Sequence, residues 1–462
     1  MVAMETTRFL PYTPGQILLL PPDLRDWLEE GHLAYFILDV VEALDLSEIY
    51  ASYDGSREGR PGFDPRLLVG LLVYGYCVGV TSSRKIEKAT HESVPFRVLA
   101  ADQHPHHATI AEFRRRHLEA LARLFVQILR LCEKAGLVRL GHVALDGTKM
   151  RANASKHKAM SYGRMEEKVR ELEAQVAELM AAAEAADQAE DVQYGSRRGD
   201  ELPDELRFRQ QRLEKIREAM AALEAEAEVA AQKLREEKQA KAQAKGKESA
   251  PAVADGAPMQ AARPAEKAQK NFTDADSRIM RDGATKSFEQ SYNCQAAVDS
   301  QAQVIVAAQV TQQANDKQQV KPLVELMKVN LEGRTPEELS ADTGYYSEEN
   351  MAYLDGQQIE SYVPPSRPKG EDSPGEPLEP IFATAPARER MVAKLRTPSG
   401  KKVYSERKET VEPVFGQIKE ARGIRRFLLR GLGSVQAEWA LICTTHNLLK
   451  LFRSGWTPPQ MA

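Results

Sequence analysis

The spacing of apolar residues changes twice along this chain, and each change predicts a different kind of element. Up to about residue 140 the period is helical: Leu33, Ile37, Val40, Val41 and Leu44 share one face. The apolar run from Leu67 to Val80 follows a turn at Pro61, Gly62 and Pro65 and is 14 residues long. That is too short to span a bilayer and fits a buried core helix. Ser82 or Ser83 is expected to cap a short helix. Thr109 and Glu112 make a T-x-x-E capping box, predicting one helix that buries Ile110, Phe113, His117, Leu121, Leu124, Ile128 and Leu131 and stops at Gly136.

From Gly141 the pattern becomes that of strands. His142 to Leu145 leads into Asp146; Tyr292 to Val298 and Val304 to Val310 are joined by a turn at Asp299 and Ser300. An amphipathic helix follows, with Val320, Leu323, Val324, Met327 and Leu331 on one face. Next come a strand ending at Asp342, a short helix after Ser347, and a strand at Ile359 to Val363. The order βββαβαβα is that of a ribonuclease-H-like fold. Between the first two strands Val169, Leu172, Val176 and Leu179, and then Leu213, Ile216 and Met220, repeat at three and four. A helical hairpin or antiparallel coiled coil is expected there, followed by a disordered Ala/Pro-rich linker from Lys245.

Composition narrows the picture only a little. The chain has 462 residues, 42% of them hydrophobic, and a formal net charge of −4, so nucleic-acid binding has to rely on local patches. Two basic clusters supply them. Residues 401–430 hold nine Lys or Arg against four Glu, and Arg114, Arg115, Arg116, Arg123 and Arg130 lie between His106 and Arg130. The short helix from Ser82 and the basic one after it read either as a helix-turn-helix reader or as an ordinary helical domain with a charged surface. Cys77, Cys132, Cys294 and Cys443 are too dispersed for a zinc site or a disulfide framework and suggest a reducing cytoplasm. No secretory signal is expected from the N-terminal segment. His104, His106 and His107 sit in a Pro-containing loop without a nearby carboxylate, and read as loop and cap residues.

Three acids stand out chemically: Asp146 in LDGT, Asp342 in ADTGYY and Glu412 in VEPVFGQIK. Carboxylates suit Mg²⁺, which takes oxygen ligands and leaves room for water and phosphate oxygens. On the last helix Lys408, Glu412, Phe415 and Lys419 fall on one face, pairing a carboxylate with an ammonium while Phe415 anchors the helix.

With these motifs the chain resembles bacterial insertion-sequence transposases of the DDE class, in the branch with a Y-R-E-K signature. The resemblance rests on L-D-G-T, A-D-T-G-Y-Y, and Tyr404, Arg407, Glu412 and Lys419; SSRKIE through PHHATIAEFRRRHL is similar to the family's N-terminal domain, and CTTHNLLKLF to its closing helix. It implies an α/β chain: an all-α N-terminal DNA-binding domain over residues 1–139, and a ribonuclease-H-like catalytic domain over 140–462, interrupted by a coiled-coil insertion and linker over 155–270. It further implies that Asp146, Asp342 and Glu412 hold two Mg²⁺ ions, for which Mn²⁺ can substitute. DNA ends are cut and joined to target DNA; the alternative is a transposase-derived DNA binder without activity. Tyr404, Arg407, Lys408, Lys419, Arg114 and Arg115 are the expected DNA contacts. The partner that the resemblance implies is double-stranded DNA, as terminal inverted repeats and target, with a homo-oligomer expected to assemble on it in the bacterial cytoplasm and no membrane expected to be involved. One departure is visible: four residues, not three, separate Arg407 from Glu412. Five helical steps turn about 140° and four turn about 40°, so a continuous helix favours Lys408 over Arg407 as the base beside Glu412.

Overall fold

The computed structural model describes residues 11–13, 24–53, 61–194, 204–244, 263–283, 286–366 and 386–458. The chain divides into two compact units, one of Met1–Ala152, Asp282–Thr285 and Ser291–Ala462, the other of Asn153–Arg281 and Lys286–Gln290.

The first unit begins with helices α1 (Leu33–Ala43), α2 (Ser47–Ala51), α3 (Pro65–Val78), α4 (Ser83–Glu92), α5 (Val94–Leu99), α6 (His107–Arg116) and α7 (Leu118–Lys134). Asp64 caps α3 by accepting from Arg66 N at 2.8 Å, and Pro65 pre-sets its first turn. The apolar run is a core helix, as its composition predicts, with Leu67, Val69, Leu71 and Leu72 fully buried. The single helix expected from Thr109 to Gly136 is two. The chain leaves helical geometry at His117 (φ −106°, ψ 24°), and the first of the two is capped by His106, whose Nδ1 accepts from Ala108 N, rather than by the Thr109 box. No single helix among the described residues is long and apolar enough to cross a membrane. All four cysteines are buried thiols.

Eight strands follow among the described residues: β1 (His142–Arg151), β2 (Ala159–Ser161), β3 (Gln269–Asn271), β4 (Arg278–Arg281), β5 (Phe288–Asp299), β6 (Val304–Thr311), β7 (Glu338–Ala341) and β8 (Glu360–Tyr362). In the first unit the sheet order is β6-β5-β1-β7-β8, with β5 antiparallel to β1 and β6, and β7 parallel to β1 and β8. The pairing of β1 with β7 aligns Leu145 with Ala341. Their next residues, Asp146 and Asp342, therefore stand side by side where the parallel pairing stops, Asp146 midway along β1 and Asp342 just past the end of β7, at the kind of carboxyl edge where open α/β sheets bind ligands.

The second unit holds the pair β2–β3 and the long helices α8 (Tyr162–Tyr194) and α9 (Asp204–Ala244). The helices run antiparallel, since Tyr162 OH donates to Glu224 at 2.6 Å while Glu173 meets Arg217. Met165, Leu172, Leu213, Ile216, Ala219 and Leu223 form their apolar seam; of the residues expected there, Leu172, Leu213 and Ile216 are in it, Val169 and Met220 pack partly buried against it, and Val176 and Leu179 lie outside it. Of the expected linker, residues 245–262 lie outside the described residues.

The remaining helices belong to the first unit: α10 (Val320–Asn330), α11 (Glu348–Gly356), α12 (Ala387–Arg396), α13 (Pro398–Gly416) and α14 (Leu432–Arg453). A π turn, Gln417–Ala421, extends α13. Helix α14 serves strand β6 as a substitute neighbour. Asn447 Oδ1 accepts from Ile305 N and its Nδ2 donates to Ile305 O, both at 2.8 Å, and Gln436 likewise meets Val310 N and Ala308 O. Eleven helical residues rise about 16.5 Å, close to the span of five strand residues. The two amides thus meet the edge of β6 at matching intervals and close it to further pairing.

Candidate active site

Asp146 sits where β1 runs on past its pairing with β7. Its Oδ1 accepts from Gly147 N at 2.8 Å, and its Oδ2 faces Arg407 Nη1 at 3.2 Å. Asp342 ends β7 and caps the short 3₁₀ turn after it, accepting from Gly344 N at 2.8 Å. Burial pushes the Asp146 carboxyl up to about 6; Arg407 and the Gly147 N–H pull it back, while the negative charges of Asp342 and Asp316 raise it further. Burial also lowers Lys149, whose Nζ donates to Ala314 O at 2.9 Å.

Asp316 was not anticipated from the sequence. It lies in the loop between β6 and α10, and its Oδ1 accepts from Asn293 Nδ2 at 2.7 Å and Gln295 Nε2 at 2.6 Å. Asn293 and Gln295 are opposite Lys149 and Gly147 in the β1–β5 register. Room for this arrangement comes from glycine: a Cβ on Gly147 would stand 2.4 Å from Gln295 Nε2, 2.9 Å from Asp316 Oδ1 and 3.0 Å from Asn293 Oδ1. Asn293 Oδ1 is buried and has no hydrogen-bond partner. Gathered carboxylates, an orphaned amide oxygen and two side-chain-free positions fit a hard divalent cation, which takes oxygen ligands from carboxylates and amide carbonyls.

Helix α13 brings Arg407 to the acids, and not Lys408. Its buried face carries Arg407, Val411 and Val414, with Tyr404 half-buried beside them and the Arg407 guanidinium 5.7 Å from its ring. Lys408 is exposed although the segment is helical throughout, so the expectation favouring it does not hold. Glu412 is also exposed, because Val411 takes the position on that face and the next residue turns about 100° away. Val411, Val414 and Ile418, rather than Phe415, anchor the helix. The π turn breaks the expected face of Lys408, Glu412, Phe415 and Lys419, and Lys419 Nζ donates to Lys149 O at 2.8 Å.

The arginines expected to contact DNA from the N-terminal helices divide sharply. Arg114 is buried and bound to Tyr76 OH at 3.2 Å and Thr81 O at 3.1 Å, which corrects its expected surface role. Arg115 is exposed and paired with Glu112 at 2.6 Å. Arg116 reaches Ser52 O, Arg123 pairs with Glu48, and Arg130 with Glu133 and Glu332. In the histidine loop His106 caps α6 as a cap residue should, and α4 adds a carboxylate that is distant in sequence: Glu87 accepts from His107 Nδ1 at 2.7 Å, with His106 at 3.9 Å.

Residues 22–116 match the family model of a transposase domain (DUF772), and residues 251–448 that of a transposase DDE domain. Both are transposase domains. The matches support an insertion-sequence transposase, a protein of DNA transposition and recombination. No curated protein and no solved structure matches the chain. Asp316, Asp342 and Glu412 fall within the DDE match, whereas Asp146 lies between the two matched segments. The DDE domain implies a ribonuclease-H-like fold, in keeping with the β6-β5-β1-β7-β8 order, and its family generally uses divalent metal ions.

Proposed function

We propose that this transposase cleaves the ends of its element and joins them to target DNA by two-metal phosphoryl transfer, with Asp146, Asp342 and Glu412 as metal ligands. The observation that carries the proposal is the adjacency of Asp146 and Asp342 where the parallel pairing of β1 with β7 stops, in a chain with a DDE domain match. When bound, a pair of Mg²⁺ ions supplies activation of a water or 3′-hydroxyl and stabilisation of the leaving oxygen. Arg407 holds Asp146 in place and can turn to a phosphate, for which a guanidinium is well shaped. Tyr404 supports that guanidinium through its ring. Lys419 braces β1 through Lys149 O, and Glu412 reaches the site from the exposed side of α13 in the DNA-bound state.

DNA ends are bound by residues 1–139, with exposed Arg115 among the phosphate contacts. The helices α8 and α9 act as a coiled-coil insertion that assists assembly of an oligomer on paired ends. The test is Mg²⁺-dependent cleavage of duplexes carrying the inverted repeats that flank the gene. Cleavage by the parental chain and none by Asp146→Asn or Asp342→Asn is expected. Cutting at the parental rate by either variant would remove that residue from the ligand set.

A further inference from the structure

We propose that Asp316 is a further metal-facing carboxylate of this site, presented by the β6–α10 loop with Oδ2 turned to Gly344, and with the Asn293 amide oxygen near its Oδ1 beside Gly147. The inference rests on the divalent-metal reading above and adds to it a residue outside the three acidic motifs. Three observations carry it.

The first is convergence on one point. At the position that a Cβ on Gly344 would occupy, Asp342 Oδ1 lies 2.9 Å away and Asp316 Oδ2 3.5 Å away. Two carboxylates thus flank the same side-chain-free position from different elements, one from the end of β7 and one from the loop before α10.

The second is how Asp316 is held. Its Oδ1 is fixed by two amide donors, Asn293 and Gln295, and Gln295 is itself fixed by Tyr345 OH, which donates to Gln295 Oε1. A chain of hydrogen bonds from fully buried Tyr345 and Gln295 therefore orients one oxygen of Asp316 and leaves the other turned to Gly344. Support of this kind around a carboxylate is typical of ligands whose aim matters.

The third is the orphan. Asn293 is 0% exposed and spends its amide N–H groups on Asp316 and on Gln313 O at 3.0 Å, while its Oδ1 has no partner. An unpaired buried amide oxygen is held at a cost in free energy. Here it points to the same cradle beside Gly147 as Asp316 Oδ1, where a hard cation or its water would satisfy it.

The experiment is Mn²⁺ binding to the full metal-free chain, followed by electron paramagnetic resonance of free ion and by the Mn²⁺-induced rise in Tm, without DNA or turnover. Asp316→Asn keeps an oxygen acceptor for Asn293 and Gln295 and removes the charge. It is expected to weaken Mn²⁺ binding at least about tenfold, as Asp146→Asn does, while Asp355→Asn on the exposed surface of α11 leaves it unchanged. Asp316→Ser serves as a second variant should the Asn form fail to fold, and Tm in metal-free buffer reports on folding for both. Parental affinity in a folded Asp316 variant, together with loss in Asp146→Asn, would overturn the assignment and leave the metal reading standing. No Mn²⁺ binding by the parental chain would sink both.

Discussion

Glu438 on α14 and Asp146 on β1 are both carboxyl groups pushed above their ordinary range by burial, but their neighbours differ in kind. Glu438 accepts from Leu428 N at 3.0 Å, Leu429 N at 2.9 Å and Tyr76 OH at 3.0 Å, and Arg114 stands behind that tyrosine. The same side of the unit pairs Arg422 with Thr445 and Ile442 O, and His446 with Gln303 O and Gln417. Asp146 has one N–H and one guanidinium, and its other neighbours include two more acids. Buried charge that the fold has answered with donors ties helices to the sheet. Like charge left gathered is held at a cost in stability, and such a cluster marks a candidate functional site.

The most severe way to test that contrast is to neutralise an acid of the cluster. Asp146→Asn should abolish cleavage and at the same time stabilise the metal-free protein at pH 8. The sign follows from linkage. A carboxyl at about 6 in the fold and 3.8 when free carries no penalty below 3.8; stability is lost as pH rises through 6. At about 1.4 kcal/mol per unit the loss amounts to about 3 kcal/mol. Denaturant melts with and without Mg²⁺ check it, and a variant less stable than the parent at pH 8 would mean that Asp146 belongs with the paired charges.

On the answered side the same kind of truncation should have the opposite outcome. Asn447→Ala strips both partners from Ile305 at the edge of β6, leaving a buried N–H and C=O unsatisfied. A loss of about 3 kcal/mol is expected, read from urea melts, with Mn²⁺ affinity unchanged. Near-parental stability would show that the edge amides of α14 are not what holds it to the sheet.

The sequence displayed one of these regions far better than the other. The chain order of β1, β5, β6, β7 and β8, part of the seam of the α8–α9 pair and the positions of Asp146 and Asp342 follow from periodicity and from short motifs, which are local signals, whereas the short strands β2, β3 and β4 carry no such signal. Asp316 is different. In QQANDKQQ it reads as a turn or cap residue before α10, and only the folding of β5 beside β1 brings Asn293 and Gln295 under it. Arg114 was misread because three consecutive arginines look like one surface, whereas residues in a helix turn about 100° apart and the first of the three points inward. Glu412 illustrates the limit of motif spacing: one extra residue between Arg407 and the acid moves the carboxylate off the face that carries Arg407.

Acid should separate the two regions next. Burial drives His446 down to about 3 from its usual 6.5, so the unfolded chain gains a proton below 6.5 that the fold refuses until about pH 3. This contribution is full above pH 6.5 and is lost as pH falls, by about 1.4 kcal/mol per unit. It runs against the Asp146 trend, which favours the fold at lower pH. In His446→Gln the acid-side slope should flatten by one proton while the Asp146 slope is kept. An unchanged slope would mean that His446 takes up its proton in the folded chain.

The smallest effect is expected on the surface, where neighbours in sequence should behave as members of opposite classes. Arg114 is part of the answered network, so Arg114→Ala should destabilise the fold and weaken DNA binding only through that loss. Arg115 meets Glu112 where both are exposed, and such a pair contributes little. A phosphate can therefore draw the guanidinium away at small cost. Arg115→Ala should leave Tm within a degree or so and reduce the slope of log K against log salt by about 0.9, the release of one counterion. Fluorescence anisotropy on end DNA across a salt series measures it. An unchanged slope with unchanged affinity would take Arg115 out of the DNA interface and leave the exposed lysines of α13 as the bases to test.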